Sequence, residues 1–291
     1  MIYKVLPFLT ILLIIGNGGC KKKITPSEKV LEQDTTIDDL SLCRAGVIEY
    51  EIKTVKAVGT DPQNKQKIIA EVHIKYPELR CANTQLEDAV NLYLANFIET
   101  QLKENTNAED TARAKTISTA SKAFIRSCQS NIAKAKKEDP EIDQIWYCDV
   151  IGNIEMQSGN YFTVRFKYNS YTGGAHGNYG EDYATFNINT GKRLHWSDLL
   201  ANSKDFLKLA ELRFKHVNGM EESQKLSEEE GFLFENNKFY LSENFGLTSD
   251  GLVVYYQPYQ VAPFSFGATT LLFKYYEISE YLNPSLFGEN M

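Results

Sequence analysis

Two runs of alternating character, Val47 to Val58 and Lys67 to Tyr76, flank the polar turn Asp61-Pro62-Gln63-Asn64. A period of two, interrupted by Asp, Pro and Asn, predicts a β-hairpin. The period then changes. Leu86, Val90, Tyr93, Leu94, Phe97, Ile98 and Leu102 recur at spacings of three and four. That is the apolar stripe of a helix over about 84–103. A second helix is predicted from Ala108 to Lys136, capped by Asn107, with Glu109 and Asp110 in its first turn. Ile117, Phe124, Cys128 and Ile132 form its stripe, and Pro140 lies beyond its end.

Strands are expected at about 144–157 and 160–170, separated by Ser158-Gly159-Asn160. Another lies near 180–188 and ends at Asn189-Thr190-Gly191-Lys192. Ser203 is placed to cap a helix through Leu207, Ala210, Leu212 and Phe214. The acidic stretch 221–230 reads as a second short helix. Strands return at Phe239–Leu241, Gly251–Gln257 and Thr269–Phe273. Strands and helices occur in blocks, not in strict alternation. The expected class is α+β, with antiparallel sheets packed with helices in two adjacent domains.

The first residues have a different logic. Val5 to Ile15 form a short apolar run after Lys4, followed by Gly16-Asn17-Gly18-Gly19-Cys20 and then three lysines. The run suits a signal-peptide core better than a membrane span. Small residues ending at a Cys resemble a bacterial lipoprotein processing site, although Asn17 stands where an aliphatic residue is usual. The reading is a signal peptide at 1–19, lipid on Cys20, and a polar tether at 20–40. Ordinary secretion with cleavage nearby is the alternative.

Export changes how the other cysteines read. Cys43, Cys81, Cys128 and Cys148 would meet an oxidising compartment, where an even number suggests two disulfides. A hairpin closed at Gln63 brings its open ends together, which pairs Cys43 with Cys81. Cys128 then pairs with Cys148 by elimination; four buried free thiols are the other reading.

Charge narrows the partners. The chain carries 31 Lys and Arg against 38 Asp and Glu, a net charge of −7. Nucleic-acid binding usually needs the opposite sign, so no nucleic-acid partner is expected. Tyr, Phe and Trp crowd into residues 161–291, so the two halves differ in character.

Catalytic signatures are missing. His73, His176, His195 and His216 show no HExxH, HxxH or HxxxH spacing. There is no GxSxG elbow, phosphate-binding loop or CxxC pair. No metal, cofactor or catalytic residue is assigned. Two segments draw notice instead. In Tyr171-Thr172-Gly173-Gly174-Ala175-His176-Gly177-Asn178-Tyr179, glycines free the backbone around a single His. In the other, Asp250-Gly251 turns into an apolar strand that continues through Tyr255-Tyr256-Gln257-Pro258-Tyr259-Gln260-Val261-Ala262-Pro263-Phe264. Its tyrosines could stack on sugar rings. The candidate ligand-binding residues are Tyr171, His176, Tyr179, Tyr256 and Tyr259.

These two segments also carry a family resemblance. With the ending Tyr276-Glu277-Ile278-Ser279-Glu280-Tyr281-Leu282, they look like the extracytoplasmic domain of RsiV-like anti-sigma factors. Ile74-Lys75-Tyr76-Pro77-Glu78-Leu79, followed by a helix with Val90-Asn91, resembles the opening of the PdaC/RsiV-type domain. The same domain pair resembles the non-catalytic N-terminal region of PdaC-type peptidoglycan deacetylases. The resemblance implies an N-terminal domain over 41–172 and a C-terminal one over 173–291. It covers neither a sigma-binding segment with a membrane span nor a deacetylase domain with its Asp and paired-His ligands. What it implies is recognition without catalysis: a cell-envelope lipoprotein, exported and lipid-anchored, binding peptidoglycan or a lysozyme-like protein. The rival expectation is a peptidoglycan-modifying hydrolase or deacetylase using scattered acidic residues and His176. Cys20→Ala is expected to release the protein from membranes; mass spectrometry of the mature N-terminus checks this.

Overall fold

The computed structural model describes residues 48–286, apart from positions 82, 105, 228 and 229. Cys20, Cys43, the signal segment and the tether lie outside the described residues. The first hairpin forms as expected. β1 (Glu49–Thr60) pairs antiparallel with β2 (Ile68–Arg80). Asp61 fixes the turn: its carboxylate accepts from Gln63 N at 2.9 Å and pairs with Lys136.

β2 leads into α1 (Thr84–Lys103), α2 (Ala108–Arg113) and α3 (Ile117–Ala135). The helix expected over 108–136 is therefore two helices. Asn107 caps α2 by accepting from Asp110 N, as its position suggested. A second start signal then intervenes. Thr116 and Thr119 exchange side-chain and backbone hydrogen bonds in a capping box, which opens α3 on a new axis of hydrogen bonding.

The helices cross over to β3 (Trp146–Ser158), which lies parallel to β2. β4 (Tyr161–Tyr171) and β5 (Asn178–Asn187) follow antiparallel, giving a five-stranded sheet in the order β1-β2-β3-β4-β5. The α+β class stands, but this sheet is mixed. The helical crossover returns the chain to the end from which β2 began, so this one pairing is parallel. Leu86, Val90, Leu94, Ile98 and Leu102 of α1 and Phe124, Cys128 and Ile132 of α3 bury against Ala70, Val72, Ile74, Cys148 and Val150 of the sheet.

A second apolar core begins after β5. The chain forms α4 (Trp196–Leu199) and α5 (Ser203–Val217), then β6 (Phe245–Thr248), β7 (Gly251–Tyr256), β8 (Thr269–Phe273) and α6 (Tyr275–Ile278). β6, β7 and β8 make an antiparallel sheet in that order. Phe206 and Phe214 of α5 pack with Phe273 of β8 and Tyr256 of β7. The boundary expected near 172 falls inside the larger sheet, between strands that pair with each other. Most of the second core follows β5, with Tyr161 of β4 joining it.

Three local expectations give way. Asn202, not Ser203, caps α5 by accepting from Asp205 N. The acidic stretch from Glu221 forms a turn closed by Gln224, and no α-helix occurs among its described residues. Phe239–Leu241 is not a strand; Phe239 is a buried core residue. β6 takes the strand role a few residues later.

Cys128 and Cys148 carry separate thiols, so the expected bridge between them is not formed. Cys128 donates to Ile69 O at 3.1 Å, across β2, while Cys148 sits on β3. The Cys43 half of the other expected bridge lies outside the described residues. Burial is the main reason that both the Cys128 and Cys148 thiols are pushed up to about 12. The thiolate is the reactive form. At pH 8 both cysteines are expected to resist iodoacetamide in the folded protein. Both should alkylate, without prior reduction, once guanidinium unfolds the chain. Peptide mass spectrometry reads the two states.

Candidate functional site

The connection from β4 to β5 runs through Gly173 and Gly174, at φ 95 and 93. Those left-handed angles favour glycine and let the chain reverse without the strain a side chain would bring. Tyr171 braces the reversal by donating its hydroxyl to Gly174 O at 3.0 Å. Its ring lies against Tyr147, with centroids 6.2 Å apart.

His176 follows on the exposed side. Its Nδ1 is 2.8 Å from Gly177 O and its Nε2 is 3.2 Å from the Tyr259 hydroxyl. A carbonyl can only accept, so Nδ1 donates; in the neutral ring Nε2 then accepts from Tyr259. The imidazole stacks on Phe264, with centroids 3.9 Å apart and planes at 15°. Tyr179 meets Phe264 edge-on at 5.6 Å, and Tyr259 lies 5.4 Å from it. Tyr179 is 39% exposed and Tyr259 57% exposed, so the group forms an aromatic platform open to solvent.

The second sheet supplies the other half of this platform. β7 ends at Tyr256, and the chain turns over Gln257–Gln260. Tyr259 occupies the left-handed region at φ 68, where a tyrosine is uncommon. Gln257 anchors the turn to the first sheet: its Nε2 donates to Glu181 O at 2.6 Å, and its Oε1 accepts from Tyr168 at 3.1 Å. Gly180 makes room. A Cβ there would lie 2.0 Å from Gln257 Oε1.

The structure thus brings His176, Tyr179 and Tyr259 together and adds Phe264, which the sequence reading left outside the site. Tyr171 supports the loop. Tyr256 does not belong to the surface. It is fully buried, packs on Phe214 and donates its hydroxyl to Tyr240 O at 2.7 Å. The difference follows from where β7 ends: the strand is covered on both faces and Tyr256 is its last residue, whereas Tyr259 lies beyond it in the turn. Phe264 had a weak signal in its position directly after Pro263, which ends the loop.

Among the described residues, no group of three or more His, Cys, Asp or Glu is placed to hold a metal. No described helix is long and apolar enough to cross a membrane.

Family comparisons fall on the two cores. A family described as "Deacetylase PdaC" matches residues 63–179. A second, described as "Protein of unknown function (DUF3298)", matches residues 197–276. Together the two matches correspond, in that order, to the PdaC/RsiV-type domain pair that the sequence resembles. Two solved structures of DUF3298 family proteins share its architecture. One, from Bacteroides fragilis NCTC 9343, has a TM-score of 0.62 at 19% identity, over 82% of this chain and 94% of its own. The other, from Pseudomonas aeruginosa PAO1, has a TM-score of 0.56 at 16% identity, over 82% of this chain and 97% of its own. At these identities the likeness concerns the fold. No curated protein matches the chain.

The two classes of tyrosine should separate experimentally. Tyr256→Phe leaves the Tyr240 carbonyl without its donor and is expected to cost about 1 kcal/mol of stability. Tyr259→Ala removes an exposed ring and should leave the urea midpoint nearly unchanged.

Proposed function

We propose that this domain pair belongs to a cell-envelope lipoprotein that recognises a ligand and catalyses no reaction. The ligand in this reading is a wall glycan or a cationic protein such as a lysozyme. The observation that carries it is the platform of His176, Tyr179, Tyr259 and Phe264. Exposed rings with polar tips suit the faces and hydroxyls of sugars, and aromatic residues also dominate protein interfaces. Both halves of the platform sit on loops held by rigid sheets, a common arrangement for recognition.

His176 supports binding over base catalysis. Its Nε2, the nitrogen that would take a substrate proton, already meets the Tyr259 hydroxyl. Its other nitrogen is held by its own chain. The net charge of −7 favours a cationic partner at the encounter stage.

The test is a pull-down of residues 21–291 with insoluble peptidoglycan and, separately, with lysozyme, alongside assays for sugar release and deacetylation. Retention by one of the two ligands is expected, without turnover. Tyr259→Ala and Phe264→Ala should each weaken retention by about tenfold or more, the scale of losing an aromatic anchor. Turnover that is abolished by His176→Ala would replace binding with catalysis. Unchanged retention in both folded variants would remove the platform from the reading.

A further inference from the structure

A second site stands apart from the aromatic platform, between the two family-matched regions. After β5 the chain doubles back along that strand's edge. Asn187 N donates to Lys192 O at 2.9 Å, and Leu194 N donates to Thr185 O at 2.7 Å. The last described residues return to the same place, where Asn283 N donates to Leu199 O at 2.9 Å. Between them lies a cleft of about 630 Å³, lined by Asn187, Lys192, Arg193, Ser197, Asn283 and Ser285 among others. A smaller hollow of about 320 Å³ shares Arg193, Leu194 and His195 with it. Cavities of this size at a junction between domains are typical of small-molecule sites.

Its charge is unlike that of the chain as a whole. Lys192 and Arg193 both line it, in a protein of net charge −7. Arg193 is half-buried and already positioned. One N–H donates to Tyr183 O at 3.1 Å, and the guanidinium lies 5.1 Å from the Tyr93 ring centre. Asp182 lies near enough to feel Arg193, but its carboxylate takes the Tyr93 hydroxyl. Arg193 makes no ion pair within 4 Å with a described residue, although Asp182 and Glu243 line the smaller hollow beside it. A fixed guanidinium with spare donors matches a planar carboxylate well.

The remaining lining selects further. Asn283 Oδ1 already accepts from Ser285 N and from the Ser285 hydroxyl, at 3.2 and 2.9 Å, and Asn187 Oδ1 accepts from Asn189 N and Thr190 N. The cleft is left the amide N–H groups of both asparagines, the Ser285 oxygen as an acceptor and the Ser197 hydroxyl, with Tyr161 and Leu286 as an apolar wall. Asp198 lines the same cleft. It would repel a dianionic phosphate, yet accept hydrogen bonds from hydroxyls of a monoanion. We propose that this cleft binds a carboxylate-bearing saccharide of the uronic-acid type. Arg193 and Lys192 take its carboxylate, and Asp198, Asn283 and Ser285 take its hydroxyls.

The test uses calorimetric titration of residues 21–291 with galacturonate disaccharide, its methyl ester and glucose 6-phosphate. The acid is expected to bind about tenfold or more tighter than the ester, the scale of a charge-assisted hydrogen bond. Lys192→Glu, a change at an exposed side chain, should weaken the acid by a similar factor. Arg193→Gln should do so too where circular dichroism shows it folded. Tyr259→Ala should leave this binding unchanged, which separates the cleft from the platform. The proposal is overturned by no binding of the acid, by equal affinity for its ester, or by tighter binding of the sugar phosphate. It is equally overturned if Lys192→Glu has no effect or Tyr259→Ala abolishes the signal.

Discussion

The outer edge of β5 presents backbone groups that β4 cannot satisfy. The side chain of Asn244 satisfies two of them at once. Its Oδ1 accepts from Tyr183 N at 2.9 Å, and its Nδ2 donates to Glu181 O at 2.7 Å. An amide side chain thus stands in for a sixth strand. Next to it, Leu247 N donates to the Thr185 hydroxyl at 3.0 Å, and that hydroxyl lies 2.9 Å from Thr163. These contacts set β6 beside the larger sheet and therefore fix where β7 ends. The turn that carries Tyr259 is positioned by that chain of dependence. Leu194 covers the next stretch of the same edge, and so the walls of the cleft are fixed by the same strand.

Much of the fold was legible from spacing. α1 falls within the predicted limits because it carries a strong period without a competing signal, and β8 because β-branched, apolar and aromatic residues run together there. The break between α2 and α3 was harder to read. The apolar stripe runs on through Ile117, while the two threonines that restart the helix look like ordinary surface residues in sequence. The parallel pairing of β2 with β3 depends on how three helices return the chain, which no local pattern encodes. β6 is only four residues long and too short to show a period.

The site was legible in part, for a related reason. Glycines around His176 marked a turn, and the turn brought an exposed imidazole. The choice between Tyr256 and Tyr259 depended on where β7 stops, a boundary that burial on both faces hides. Phe264 touches His176 from far along the chain, and only the tertiary fold could join them. Arg193 gave no sequence signal, because a surface arginine and one held against Tyr93 read alike.

The covered edge of β5 also bears on how such a chain can be inherited and rearranged. An open strand edge is a template for another molecule's strand, and proteins cover such edges to avoid self-association. Here the cover comes from Leu194 and Asn244, both of which follow the first core in sequence. The second core therefore serves the first as a chaperone built into the same gene. A recombination event that separated them after β5 would leave the first sheet with a sticky margin. To persist as a monomer, that fragment would have to acquire a new flank with equivalent hydrogen bonds.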